Sequence, residues 1–222
     1  MTRHALVVGG TGLVGTCVVD ALLADPAWSR VTALARRPVE RAGKKFESRV
    51  VDFAHLEPLS LPAVDDVFCC LGTTIRVAGS RAAFRRVDHD YPMAVARAAL
   101  AAGATQFLFI SAMGADPQSK VFYSRVKGEL ECDAAALPFR TVIALRPSLL
   151  AGARSEYRAG ERLALAVLKP LHFLVPRNYR PIAARAVARA MIDCAKRDLR
   201  GFEVLESGAL QAYADDAGTA SR

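Results

Sequence analysis

Seven residues near the start of the chain constrain its fold more than any others: Gly9-Gly10-Thr11-Gly12-Leu13-Val14-Gly15. They follow an apolar run, His4 to Val8, and lead into Val14, Val18, Val19, Leu22 and Leu23, which recur at helical spacing. The pattern reads as a strand, a glycine turn and a helix. Each glycine of Gly9-x-x-Gly12-x-x-Gly15 has a physical use. The first permits a sharp turn, the second lets backbone approach a pyrophosphate with no Cβ between, and the third lets the helix lie close on the strand. The helix N-terminus then offers free N–H groups and a positive dipole end to the phosphates. Gly9, Thr11, Gly12, Leu13, Val14 and Gly15 are therefore the expected cradle of a dinucleotide, with a merely structural glycine turn as the alternative.

A chain of 222 residues suits one α/β domain. Hydrophobic residues at 52% and charged residues at 23% exclude a disordered chain. No apolar run reaches the roughly 18 residues of a membrane span, so no membrane partner is expected. The chain opens Met1-Thr2-Arg3 and enters a strand at once, unlike a secretory signal, which makes a cytoplasmic location the expectation. The five cysteines are scattered, and Cys69-Cys70 lies in an apolar run where thiols pack as small hydrophobes. The net charge of +8 comes largely from arginines set at helical intervals among apolar residues. With no recognition helix, zinc-finger spacing or basic tail, this reads as solvated helix faces plus local phosphate binding, and no nucleic-acid partner is expected.

Further strands are expected over 27–35, 46–53, 65–71, 106–111, 140–145 and 202–206, and helices over 81–102, 119–136, 156–169 and 182–196. Strands alternating with helices imply a parallel sheet covered on both faces. Right-handed crossovers then make a doubly wound, Rossmann-like α/β sheet, with its ligand crevice at the carboxyl ends of the strands. The expected organisation is a single domain over 1–210 with a small C-terminal helical extension, a substrate cleft formed by about 150–185, and a flexible tail over 211–222.

The second strand ends Leu34-Ala35-Arg36-Arg37-Pro38. An NAD site places an acidic residue there for the ribose 2′-hydroxyl, whereas Arg36 and Arg37 suit a 2′-phosphate; NADP is therefore expected over NAD. Asp52 and Phe53 close the third strand, where Asp52 either accepts from the adenine amino group or caps a helix. Leu71, Gly72 and Thr73 close the fourth, where Gly72 lets backbone run beside the cofactor ribose or simply makes a turn.

Ser111 ends the fifth strand, and twelve residues later comes Tyr123, in Tyr123-Ser124-Arg125-Val126-Lys127. Tyr and Lys at i and i+4 share a helix face. A phenol titrates at about 10, too high for acid–base work near neutrality, but an adjacent ammonium favours the phenolate. Lys127 can also hydrogen-bond the nicotinamide ribose, and Ser111 a substrate carbonyl or hydroxyl. These are the residue types of carbonyl and alcohol interconversion.

Taken together, these motifs resemble the short-chain dehydrogenase/reductase superfamily, in its atypical branch with the pattern GGTGxxG and the group of Tat-interacting-protein oxidoreductases within it. The similarity runs through Phe68 to Thr74, Val87 to Tyr91, Ser111 to Asp116, Tyr123 to Glu129 and Leu145-Arg146-Pro147, across about residues 5–195. The resemblance implies a Rossmann-like domain binding NADP(H), with Ser111, Tyr123 and Lys127 at catalytic positions and Pro147 near the nicotinamide. Many members carry an Asn that completes a proton relay; the matching stretch here offers Asp88.

The expected function is thus an NADP(H)-dependent oxidoreductase acting on a small-molecule substrate as a monomer or homodimer. A non-enzymatic NADPH-binding regulator is the alternative, and an epimerase or dehydratase a more distant one, since the chain after Arg146 is short for a sugar-nucleotide lobe. No metal is expected. His89, between Asp88 and Asp90, reads as part of a surface helix, and Glu129 to Glu131 and Asp133 read as surface complements to basic residues. Arg154 is a candidate anion ligand at the crevice edge, and His172 reads as structural.

Overall fold

The computed structural model describes residues 2–56, 61–151 and 176–214. Its strands are β1 (Arg3–Val8), β2 (Trp28–Ala35), β3 (Phe46–Val50), β4 (Asp66–Cys69), β5 (Gln106–Ile110), β6 (Thr141–Arg146), β7 (Leu150–Ala151), β8 (Ile182–Ala183) and β9 (Gly201–Glu206). Its α-helices are α1 (Leu13–Ala24), α2 (Ile75–Ala78), α3 (Arg81–Arg85), α4 (Tyr91–Ala101), α5 (Phe122–Ala135), α6 (Ala184–Lys196) and α7 (Ser207–Leu210). Seven strands form one sheet in the order β3-β2-β1-β4-β5-β6-β9, every pairing parallel. The short strands β7 and β8 pair with each other. This is the doubly wound, Rossmann-like α/β fold that the alternation of elements predicts.

The period of two along each strand sorts the core into two layers. Ala5, Val7, Leu108, Ile143 and Leu145 pack with Val18, Val19 and Leu22 of α1 and Val187 and Met191 of α6. Leu6, Val8, Phe107, Phe109, Val142 and Ala144 pack with Met93, Val95 and Ala99 of α4 and Leu130 and Ala134 of α5. Covered on both faces, β5 needs no polar alternation, and it reads Gln-Phe-Leu-Phe-Ile. Each fully buried Leu or Phe contributes about 1.5–3 kcal/mol by leaving water.

The order puts β2 on one side of β1 and β4 on the other, so the chain winds away from β1 in opposite directions. The crevice of such a sheet opens at the carboxyl ends of those two strands. At the other end of the sheet, Asp66 is fully buried, paired with Arg3 and accepting from Trp28 Nε1 at 2.7 Å. Trp28 in turn stands edge-on to Phe68, ring centroids 5.9 Å apart.

Several elements differ from their sequence expectation. β3 stops at Val50, and Phe53–His55 is a 3-10 turn capped by Asp52, whose Oδ1 accepts from the Ala54 amide at 2.9 Å. The helix expected over 81–102 is α3 and α4 joined by a π-helical turn, Arg86–Asp90. The stretch from Ile182 begins as β8 before α6. The tail expected from residue 211 is held at its start. Gln211 Nε2 donates to the Arg180 carbonyl at 2.8 Å, and the Tyr213 hydroxyl donates to Asp193 at 2.6 Å. The helix expected over 156–169, Arg154, His172 and most of the substrate cleft fall outside the described residues.

Candidate active site

The glycine turn closes β1 onto α1 with backbone alone. Gly9 has φ +77°, and a Cβ there would sit 2.6 Å from the Cys70 carbonyl oxygen at the end of β4. A Cβ at Gly15 would fall on the Gly9 carbonyl, so α1 can lie this close only without one. The Gly12 amide donates to the Gly9 carbonyl at 2.9 Å, and α1 starts from Gly12 with no side-chain cap. Its first amides and positive dipole end are thus left for an anionic ligand. Val14 points into the core, Leu13 is half-buried and Thr11 is exposed.

Arg36 and Arg37 follow β2 directly, both exposed, and neither forms an ion pair among the described residues. Nearby Arg41 is instead paired with Asp20 at 3.3 Å. Asp52 is committed to its cap and to His55 Nδ1, 2.9 Å away. Phe53 is buried and stacks on Tyr91, ring centroids 5.8 Å apart, so its side chain is a core element. Past β4, Leu71 packs against the core, Gly72 is exposed, and the Thr73 amide donates to Asp88 Oδ2 at 2.9 Å.

Tyr123 and Lys127 share a face of α5, as their spacing predicts. The Tyr123 ring lies 5.4 Å from that of Phe84, and its hydroxyl takes no partner among the described residues. Lys127 is buried, its side chain 4% exposed, and its Nζ lies 2.8 Å from Asp88 Oδ1 and 3.2 Å from the Ile110 carbonyl at the end of β5. Burial alone would lower its pKa. The Asp88 carboxylate, the Tyr123 phenol and the hydrogen bond to Asp88 outweigh burial and hold the ammonium above its ordinary range.

Ser111 departs from the expected arrangement. Its hydroxyl is buried and donates to the Glu131 carboxylate, whose oxygens also take Arg146 Nε at 2.9 Å and Nη2 at 2.5 Å. With its proton given to Glu131, Ser111 keeps only acceptor lone pairs. In this arrangement it faces a substrate with acceptor lone pairs, which suit an alcohol. Pro147, buried just past β6, accepts the Met113 amide at 3.2 Å.

Two residues gain roles that the charge pattern hid. Glu131 is buried, not a surface complement, and the spacing of Lys127, Leu130, Glu131 and Ala134 on one helix face was the available signal. His89 is also buried rather than on an exposed face, with Nδ1 2.8 Å from Asp90 and Nε2 2.9 Å from Asp133. Among the described residues no group of three or more metal-ligating side chains comes together. Cys69 is buried and its thiol is pushed up to about 11 by that burial. Cys70 Sγ rests 4.0 Å from Met191 Sδ, in the packing role expected of it.

Residues 9–135 match the family described as NAD(P)H-binding. The chain belongs to this family. A fungal relative from Coccidioides immitis, "Protein FMP52, mitochondrial", is 35% identical over 215 residues, covering 89% of this chain and 87% of its own. The rat "Protein HTATIP2" is 38% identical over 168 residues, covering 73% and 69%. These relatives and the family match place the chain among NAD(P)H-binding proteins similar to FMP52 and HTATIP2. Among solved structures, MoeE5 in complex with UDP-glucuronic acid and NAD aligns with a TM-score of 0.71 at 21% identity, over 97% of this chain and 82% of that one. A Burkholderia thailandensis oxidoreductase of the short-chain dehydrogenase/reductase family aligns with a TM-score of 0.66 at 18% identity, over 99% and 98%. At such identity these two establish the fold alone. The fungal relatives are named as mitochondrial proteins, which corrects the expected cytoplasmic location. Lack of a secretory pattern at the chain's opening carries no information about delivery to an organelle. No helix among the described residues is long and apolar enough to cross a membrane.

Proposed function

We propose that this NAD(P)H-binding protein is an NADP(H)-dependent oxidoreductase that interconverts a small carbonyl and its alcohol, with Tyr123 as general acid and base. The observation that carries the reading is Lys127, a buried ammonium on the same helix face as an unpartnered phenol, with two of its three N–H donors satisfied by Asp88 and Ile110. The residues present fit a dinucleotide. Gly9 to Gly15 supply a Cβ-free approach and uncapped amides for the pyrophosphate, and Arg36 and Arg37 supply unpaired guanidiniums where a 2′-phosphate would sit. When bound, the cofactor supplies or accepts hydride at its nicotinamide.

The chain's own residues do the rest. Lys127 directs its remaining N–H to the nicotinamide ribose, and its positive charge stabilises a phenolate at Tyr123. Tyr123 delivers its proton to the carbonyl oxygen in reduction and takes it back in oxidation. Ser111 can accept from an alcohol, while Pro147 shapes the wall beside the nicotinamide.

The commitment of the Ser111 proton to Glu131 favours a second reading, a regulator that binds NADPH without turnover. One experiment separates the two. NADPH and NADH are titrated against the wild-type protein and Tyr123→Phe, and turnover is measured over a panel of small aldehydes and ketones. An enzyme shows NADPH-dependent turnover that falls at least about a hundredfold in Tyr123→Phe with cofactor affinity retained. Equal rates in both proteins remove the catalytic assignment.

A further inference from the structure

The long helical stretch before β5 is interrupted where the chemistry needs it. Here the π-helical turn Arg86–Asp90 widens the helix by a residue, and Asp88 and His89 are both buried, 1% and 8% exposed. π-turns of this kind commonly serve function. The Asp88 carboxylate then meets two elements at once. Oδ1 lies 2.8 Å from Lys127 Nζ on α5, and Oδ2 accepts the Thr73 amide on the loop after β4 at 2.9 Å. Gly72 lies beside the same carboxylate, where a Cβ would make ordinary van der Waals contact with Oδ1 at 3.5 Å.

We propose that Asp88 is the positioning residue of this site, tying the lysine of α5 to the backbone of the cofactor-side loop so that Lys127 presents its last N–H to the ribose as a permanent cation. The inference rests on the cofactor reading above. A neutral amide at this position offers one acceptor oxygen, enough for the Lys127 ammonium or the Thr73 amide but not for both, and it removes the charge; a buried ammonium without a counter-ion loses its proton readily. Few other groups compete for the pair. Tyr123 of α5 and Cys69 of β4 face it, with the Ile110 carbonyl of β5. Glu131, one turn along α5, is held by Arg146, and His89 is turned to Asp90 and Asp133. The Cys69 thiol, held at about 11, stays neutral across the range of the test.

The test is NADPH binding, followed by nicotinamide fluorescence from about pH 6.5 to about pH 9, in proteins carrying Tyr123→Phe so that the lysine is read without the phenol beside it. With Asp88 intact, affinity stays level across the range. With Asp88→Asn, affinity is highest at the acid end and falls as Lys127 loses its proton, by roughly tenfold per pH unit of displacement at the limit. Where the single variant fails to fold, the double substitution Asp88→Asn with Lys127→Met removes both charges together. It is expected to fold, as paired removal usually permits, and to bind weakly with no pH dependence. A curve for Asp88→Asn parallel to its parent overturns the role of Asp88 and leaves the cofactor reading standing. A double variant that binds as tightly as the parent likewise overturns it. Absence of NADPH binding in the wild-type protein overturns the cofactor reading itself, and this inference with it.

Discussion

At the scale of single residues, the site divides into groups that are spent and groups that are free. Ser111 and Glu131 have their polar atoms committed inside the protein and Asp52 is engaged at the surface by its cap and His55, whereas Arg36, Arg37 and the Tyr123 hydroxyl have none committed among the described residues. Free charged groups at a ligand crevice are where affinity is read. The double substitution Arg36→Ala with Arg37→Ala is expected to weaken NADPH by about 10- to 100-fold, the scale of one or two lost charge-assisted contacts, and to leave NADH unchanged. Fluorescence titration of both cofactors checks this, and an equal loss for the two would show that the guanidiniums do not read the 2′-phosphate. Ser111 is expected to behave differently. Ser111→Ala removes a hydrogen bond to a buried charged acceptor, which costs about 1.5–3 kcal/mol of stability. Turnover per folded molecule in the reductive direction should change little, because that hydroxyl is directed at Glu131. Urea melts and kcat, measured on the same preparations, separate stability from chemistry; intact stability with lost turnover would restore Ser111 as the substrate donor.

At the scale of elements, α5 is set by how closely it can approach its neighbours. A Cβ on Gly128 would collide with the backbone of Asp116 and Pro117, and the Asp116 amide is tied to the Ser124 carbonyl at 3.1 Å. Gly128→Ala must therefore push α5 from the loop after β5, at a cost of about 1–3 kcal/mol for overpacking. It is expected to lower Tm and to reduce turnover through misplacement of Tyr123 and Lys127, with cofactor affinity less affected because the glycine turn lies elsewhere. Unaltered kcat in this variant would show that α5 tolerates the shift. The same element shows what a sequence reveals and what it conceals. The alternation of strands and helices, the glycine turn and the Tyr123 to Lys127 face were readable because each rests on a local period or spacing. The π-turn at Arg86–Asp90 was not, since one extra residue leaves an alanine-rich helical pattern almost unchanged. Glu131 was misread because a carboxylate among Glu129 and Asp133 resembles a solvated face, and only Arg146, from another strand, makes its burial tolerable. Asp88 was visible only as a departure from a family pattern; its link to Thr73 is a tertiary contact that no local spacing encodes.

At the scale of the whole molecule, the two ends of the sheet have separate tasks. The carboxyl ends carry the glycine turn, the arginines and the Tyr123 to Lys127 pair, while the amino ends are closed by polar contacts that serve stability. His4 is the clearest case: its Nδ1 meets the Ala63 carbonyl at 2.7 Å and its Nε2 the Thr32 hydroxyl at 2.8 Å. Burial foremost, with Arg30 adding to it, holds its pKa below the ordinary 6.5, against the opposing pulls of the Ala63 carbonyl, Asp65 and Glu47. A depressed folded-state value means that the unfolded chain takes up the proton first, so this contribution is complete above 6.5 and is lost as pH falls through the folded value. Asp66, raised chiefly by burial despite Arg3 and Trp28, works in the opposite sense, but it is common to any pair of proteins that differ only at His4. Urea midpoints of the wild type and His4→Gln, compared from about pH 7.5 down to about pH 5, keep clear of most carboxylate titration. The wild type is expected to be the more stable at the upper end and to lose that margin toward the lower one, the two midpoints converging. If they run parallel, His4 does not carry the pH dependence, and the amino end of the sheet owes its stability to the Arg3, Trp28 and Asp66 cluster alone.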